Sequence, residues 1–256
     1  MPEFTEITDR LRAAGCVFAE DEARLIVETA TGPDERAAMV ERRAAGLPLE
    51  HVLGWAEFGG VRVIVEPGVF VPRRRTEFLL EQALELTDGE APVVVDLCCG
   101  SGALGAAFAA ARADADVHAA DLDPAATACA RRNLPPDRVH TGDLFAPLPA
   151  ALRGHVDVLL SNVPYVPTSD IALLPAEARD HEARVALDGG TDGLAVLRRV
   201  AAEAAAWLAP AGHLFFETSE RQAQAAVAAV TAHGLTARTA ECDDLAATVL
   251  IASRPT

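Results

Sequence analysis

Lysine is absent from this 256-residue sequence, so all 22 strongly basic side chains are arginine. That absence excludes a Schiff-base lysine, a pyridoxal-phosphate lysine and the lysine of a Walker-type phosphate loop. Positive charge is scarce as well: 38 acidic residues leave a formal net charge of −16. A surface of that sign repels phosphate backbones and argues against a general nucleic-acid binder. Cysteine is sparse and oddly numbered (Cys16, Cys98, Cys99, Cys129, Cys242), with no C-x-x-C pair, so neither a disulfide framework nor a thiolate zinc site is suggested. The seven histidines show no metal-ligand spacing. Asp180-His181-Glu182 has the right residue types, but neighbours in sequence face different ways, and no metal is expected. Apolar runs such as 201–209 fall far short of the roughly 20 residues needed to span a bilayer. The amino terminus is acidic and lacks an apolar signal core. A cytoplasmic protein with no membrane contact is expected, with monomer as the default state.

What is present is a large potential core, since half of the residues are hydrophobic. Three parts are expected. Residues 1–50 read as a small helical domain, with a helix opening at Pro33, acids in its first turn, and closing near Gly46. Residues 51–71 form a linker in which Gly59-Gly60 precedes an alternating β-branched run, the pattern of a hairpin. From residue 72 to 256, strands and helices alternate. Strands are expected at Val93–Leu97, Val117–Asp121, Val156–Ser161 and His213–Glu217, with a closing pair at Thr236–Glu241 and Thr248–Ala252. Helices fall at Thr76–Leu86, Ala103–Ala111, Pro124–Asn133 (Asp123 as N-cap), Leu194–Leu208 and Arg221–His233. The fold class is α/β, with a mostly parallel sheet covered on both faces.

Three segments carry chemistry. In the first, the strand Val93–Leu97 runs into Cys98-Cys99-Gly100-Ser101-Gly102 and then a helix. Glycines there let backbone approach a ligand, and the helix start offers free N–H groups. Gly100-x-Gly102-x-x-Gly105 also matches the dinucleotide fingerprint, so a nicotinamide enzyme and a purely structural turn remain alternatives. Two acids favour S-adenosylmethionine. Asp96 precedes the glycines, where it can orient the loop and meet a cationic amine, and Asp121 ends the next strand, placed for ribose hydroxyls, with Leu122 beside it. In the second segment, Asp143, Leu144 and Phe145 offer a carboxylate and apolar faces for an adenine ring. In the third, Asn162-Val163-Pro164-Tyr165 follows an apolar strand. The Asn162 side-chain oxygen and the Val163 carbonyl can each accept one N–H of a planar NH₂ group, with Pro164 shaping the turn and Tyr165 packing against the plane.

These motifs resemble those of the HemK/PrmC family, and they occur in the family's order. They are Gly54-x-x-Glu57-Phe58, Val71-Pro72-Arg73-x-x-Thr76-Glu77, Asp96 to Gly102, Asp121, Leu144-Phe145, Asn162 to Tyr165, and Glu182 with 186–194. The resemblance covers about residues 47 to 256. It implies a class I methyltransferase fold with a seven-stranded Rossmann-like sheet. It also implies methylation of a protein glutamine side-chain amide, in the family the Gly-Gly-Gln loop of peptide-chain release factors. The cofactor loop would run from Cys98 to Gly102, with Asp121 on the ribose, Leu144 at the adenine, Arg73 in a gate loop, and Asn162 to Tyr165 at the target amide. Three departures stand out: Val163 replaces the first proline of Asn-Pro-Pro-Tyr, Cys98-Cys99 replaces a Gly-Thr-like pair, and Arg74-Arg75 replaces a proline and an acid. A paralogue acting on another protein or a small amide, an adenine-amine methyltransferase and a non-catalytic module that kept the pocket are the rival readings.

Overall fold

The computed structural model describes residues 2–255. Helices α1 (Pro2–Ala13), α2 (Ala19–Thr29), α3 (Pro33–Ala44) and α4 (Leu49–Leu53) come first. Ile7, Leu11, Ala23, Ile26, Met39 and Val40 interlock into a core of their own. Helix α3 begins with Pro33, Asp34 and Glu35 and ends with Arg42 and Arg43, so its charges complement the helix dipole at both ends.

The hairpin follows as β1 (Trp55–Phe58) and β2 (Val61–Ile64). Its two-residue turn places Gly59 at φ 55° and Gly60 at φ 79°, the paired left-handed geometry that glycine adopts without strain. Trp55 packs on the helical core while the Arg62 guanidinium lies 3.6 Å over its ring. On the other side, Asn133 accepts the Ile64 N–H (2.8 Å) and donates to the Ile64 and Ser101 carbonyls (2.9 and 2.8 Å). One side chain thus ties the hairpin to the glycine loop.

The remaining strands are β3 (Val93–Leu97), β4 (Asp116–Asp121), β5 (Val139–Thr141), β6 (Val156–Ser161), β7 (Leu208–Thr218), β8 (Thr236–Cys242) and β9 (Ala247–Ser253). They form one seven-stranded sheet in the order β5-β4-β3-β6-β7-β9-β8, with β9 antiparallel to both neighbours and every other pairing parallel. Successive strand residues point to opposite faces, and each face has its own core. Val94, Val158, Leu160 and Phe215 pack with Leu79 and Ala83 of α5 (Glu77–Glu85) and with Leu104 and Phe108 of α6 (Ala103–Ala111). Val95, Leu97, Leu159, Leu214 and Phe216 pack with Leu197 and Val200 of α9 (Ala195–Trp207) and Val230 of α10 (Glu220–Thr231). Each of the valine, leucine and phenylalanine side chains among them contributes roughly 1.5–3 kcal/mol on burial.

Two boundaries differ from those expected by three residues or more. Helix α7 (Pro124–Ala130) stops three residues early. The N–H groups of Arg132 and Asn133 turn to the carbonyls three residues back, which frees Asn133 to clamp the hairpin. Strand β7 begins at Leu208, immediately after α9. Asp123 caps α7 as expected, accepting the Ala125 N–H at 2.8 Å. Among the described residues, no helix is long and apolar enough to cross a membrane.

Strand β3 lies between β4 and β6, with Leu97 level with Ala120 on one side and Ser161 on the other. The chain winds outward in both directions from this pair, so the loops after β3 and β6 diverge and leave a crevice at the carboxyl ends of the strands.

Candidate active site

The crevice begins where β3 ends. Cys98 (φ 57°), Gly100 and Gly102 are all left-handed, folding 98–102 back on itself before α6 starts. Two neighbours pin this loop: the Cys99 N–H reaches the Ala120 carbonyl (3.1 Å), and the Gly100 N–H reaches Asp121 Oδ2 (2.9 Å). The second Asp121 oxygen accepts the Asp123 N–H at 2.9 Å. Asp96 Oδ2 accepts the Gly105 N–H (2.9 Å) in the first turn of α6, but its Oδ1 is buried with no partner. Burial, reinforced by the charge of Asp121, pushes the Asp96 carboxyl up to about 7. Burial likewise raises Asp121 and drives the Cys98 and Cys99 thiols far up, which makes them inert rather than nucleophilic.

A cavity of about 540 Å³ occupies the crevice. Asp96, Cys98 to Ser101, Asp121, Leu122, Asp143, Leu144 and Asn162 line it, with Phe70 and Arg73 closing it from the linker side. Leu122 and Val185 also line it, and both are about half exposed. Asp143 is held by Arg199 Nη2 of α9 at 2.6 Å, an exposed pair.

Two expected cofactor residues stand elsewhere. Phe145 is fully buried on the α9 face of the sheet, stacked on Trp207 with ring centroids 5.3 Å apart. Leu144 before it belongs to the same apolar cluster and also lines the cavity, so of the two only Leu144 reaches the crevice. Gly102 does not line the cavity either; it caps α6 against Ala130 and Leu134.

Beyond Asn162 lies a second cavity of about 500 Å³, lined by Val163, Pro164, Tyr165, Val166, Leu174 and Glu177 among others. Phe70, Arg73, Asn162, Pro164 and Ala186 line both cavities, so they form the wall between them. The wall is braced by Arg73, whose Nη2 donates to both oxygens of buried Glu182 (2.5 and 2.7 Å) while its guanidinium lies over the Phe70 ring. Burial raises the Glu182 carboxyl, and Arg73 opposes that shift. Asp180 is drawn instead to Arg179, so the acids flanking His181 diverge. No His/Cys/Asp/Glu cluster suited to a metal is found among the described residues.

Two residues at the site were not singled out from the sequence: Thr76, which appears there only as a motif position, and Glu217. Buried Glu217 accepts from Arg75 Nε (2.9 Å), the Thr76 hydroxyl (2.5 Å) and the Tyr165 hydroxyl (2.7 Å). Arg75 also donates to the Tyr165 hydroxyl. Asn162 Nδ2 faces Thr76 Oγ1 at 3.4 Å. Burial and the Glu217 charge hold the Tyr165 phenol well above its usual range, so it stays protonated. A lone acid closing the apolar run Leu214-Phe215-Phe216 was the available signal.

The strand order, the acids ending β3 and β4 and the Asn-Val-Pro-Tyr turn after β6 define a class I methyltransferase fold. A methyltransferase from Pyrococcus furiosus shares it, with a TM-score of 0.58 and 18% identity, covering 88% of this chain and 100% of that one. The family model described as "Methyltransferase small domain" matches residues 60–190. A release factor glutamine methyltransferase of Deinococcus radiodurans is 40% identical over 238 residues, 86% of this chain and 85% of that protein. Another, from Mycolicibacterium smegmatis, is 40% identical over 220 residues, 84% of this chain and 78% of its own length. The chain belongs to the release factor glutamine methyltransferase family.

Proposed function

We propose that this chain methylates the side-chain amide nitrogen of a glutamine in a peptide-chain release factor, with S-adenosylmethionine as donor. The observation that carries this reading is Asn162 in the wall between two cavities, one of which contains an orphaned carboxylate oxygen.

The residues of the first cavity fit the donor. Its volume lies in the ordinary range for ligand sites, ~300–1,000 Å³. Asp96 Oδ1 is a buried acceptor awaiting a cation, which the methionine amine provides. Each Asp121 oxygen already takes one backbone N–H and keeps a lone pair for a ribose hydroxyl. Leu122, Leu144 and Val185 offer apolar faces to adenine. When bound, the donor supplies a methyl group on a cationic sulfur.

The chain's own contribution is placement. The Asn162 side-chain oxygen and the Val163 carbonyl accept the two N–H groups of the target amide, while Pro164 and Tyr165 flank its plane. That arrangement aims the nitrogen lone pair across the wall. Such positioning can account for up to about 7–11 kcal/mol of barrier reduction in favourable cases. The alkylated nitrogen loses one proton to water, so no side chain need act as a strong base. Helices α1–α4, as a domain spanning about residues 1–50, would dock the protein substrate beside the second cavity.

The test is mass spectrometry of a release factor incubated with enzyme and donor. One added methyl on the glutamine of its Gly-Gly-Gln loop is expected; an unmodified loop would refute the substrate assignment.

A further inference from the structure

A primary amide has two ends of nearly equal shape and opposite hydrogen-bonding character. Only its oxygen can accept an N–H from a target NH₂ group; a flipped side chain would set N–H against N–H. Something in the site must choose the orientation of Asn162. We propose that Glu217, acting through Thr76, makes that choice, and that both are positioning residues for methyl transfer. The proposal rests on the function given above.

The argument follows the protons. A carboxylate only accepts hydrogen bonds, and a threonine hydroxyl has one proton and two lone pairs. Glu217 Oε2 takes the Thr76 proton at 2.5 Å. Thr76 Oγ1 is left with lone pairs alone, and these face Asn162 Nδ2 at 3.4 Å. Asn162 therefore turns its NH₂ towards Thr76, and its oxygen remains for the target. Thr76 and Glu217 are each 2% exposed, so the hydrogen bond between them is shielded from bulk solvent.

Two further contacts keep Glu217 an acceptor. Arg75 Nε and the Tyr165 hydroxyl both donate to its Oε1, at 2.9 and 2.7 Å. Arg75 also donates to the Tyr165 oxygen, which leaves the phenol proton directed at the carboxylate. The same carboxylate thus governs the first residue of the Asn162–Tyr165 turn through Thr76 and the last directly. These partners come from the linker before α5, from the turn after β6 and from the end of β7.

The experiment compares Thr76→Val, Thr76→Ser and Glu217→Gln in the full chain. Valine keeps the shape of threonine without the hydroxyl, serine restores the hydroxyl, and glutamine can donate to Thr76 and so reverse the chain. Thr76→Val and Glu217→Gln are expected to lower kcat on the order of 100-fold, comparable to losing one preorganised hydrogen bond in an active site. KM for the release factor and Kd for the donor should stay near wild type, and Thr76→Ser should recover most of the rate. A second readout needs no turnover: in ¹⁵N-labelled protein, the Asn162 side-chain amide resonances should shift in Thr76→Val and return in Thr76→Ser. Unchanged kcat and unchanged amide resonances in Thr76→Val, or equal damage from valine and serine, would overturn the relay. If wild-type enzyme leaves the release factor unmethylated while the Asn162 resonances still respond, the functional reading falls and the relay stands.

Discussion

Arg43 of α3 donates to Glu177 of α8 (Ala176–His181) at 2.7 Å, and Glu177 lines the second cavity. The helical segment therefore meets the wall of the second cavity through a buried guanidinium. Arg43 also forms a two-pronged pair with buried Glu22 (2.7 and 3.1 Å) and donates to the Leu47 carbonyl. Burial alone would lower the Arg43 pKa, but its two carboxylate partners raise it overall, so the charge is permanent.

Replacing Arg43 with alanine leaves Glu22 buried and uncompensated. A loss of about 3–5 kcal/mol is expected, read from urea unfolding. The milder Glu177→Gln keeps the Arg43–Glu22 pair. It should raise KM for the protein substrate while leaving donor affinity alone; a loss of donor affinity instead would break the assignment of the second cavity to the target.

Asp96 gives a pH dependence with a definite sign. Its folded-state value of about 7 lies above the ordinary 3.8, so the folded chain holds a proton that the unfolded chain has already released. Stability from this group is complete below about pH 4 and declines as pH rises towards 7. Asp121, also raised by burial, acts in the same direction. Donor binding has the opposite preference, because a cationic amine needs the ionised carboxylate. Donor affinity should climb through neutral pH and level off above it, with proton release on binding. Calorimetry in buffers of different ionisation enthalpy measures that release, and Asp96→Asn should abolish the climb.

Gly193 is a position where one carbon is too many. At φ 75°, a Cβ there would lie 2.2 Å from the Tyr165 carbonyl oxygen and 2.2 Å from Gln222 Nε2. Gln222 bridges the Tyr165 and Asp192 carbonyls at 2.9 Å each, bracing the Asn162–Tyr165 turn from α10. Gly193→Ala should cost about 2–3 kcal/mol in strain and displace this brace. Denaturant unfolding measures the first effect, and a fall in kcat exceeding any change in donor Kd reports the second.

The strands of the sheet could be read from their apolar runs because a parallel strand buried on both faces admits few polar residues, as in Val93–Leu97 and Val156–Ser161. Glycines with positive φ mark the 98–102 loop and the hairpin turn for a similarly local reason. Phe145 faces the core and not the cavity because its partner in stacking, Trp207, lies 62 residues further along the chain, a contact that no local pattern announces. Glu217 went unnoticed because its role is non-local. An acid at a strand end ordinarily meets water, whereas here the partners lie 52, 141 and 142 residues away, at Tyr165, Thr76 and Arg75. Arg73 is legible in the sequence as part of a gate loop, but its tie to Glu182, 109 residues away, is non-local in the same way.

Asn162 separates binding from chemistry most cleanly. It lines both cavities, whereas the proposed holds on the donor are Asp96, Asp121 and the 98–102 loop. Asn162→Ala removes an acceptor for the target amide and leaves those holds intact. Turnover should fall on the order of 100- to 1,000-fold, the range seen when one preorganised active-site hydrogen bond is removed. Donor Kd should change by less than about threefold, under 1 kcal/mol. Asn162→Asp tests the geometry from the other side. Aspartate keeps the accepting oxygen but replaces the NH₂ with a second acceptor facing the lone pairs of Thr76. Its rate should also fall, although every oxygen needed to hold the target is present. Single-turnover measurements with pre-bound donor isolate this step. Wild-type rates in Asn162→Asp would mean that the orientation of the side chain does not matter.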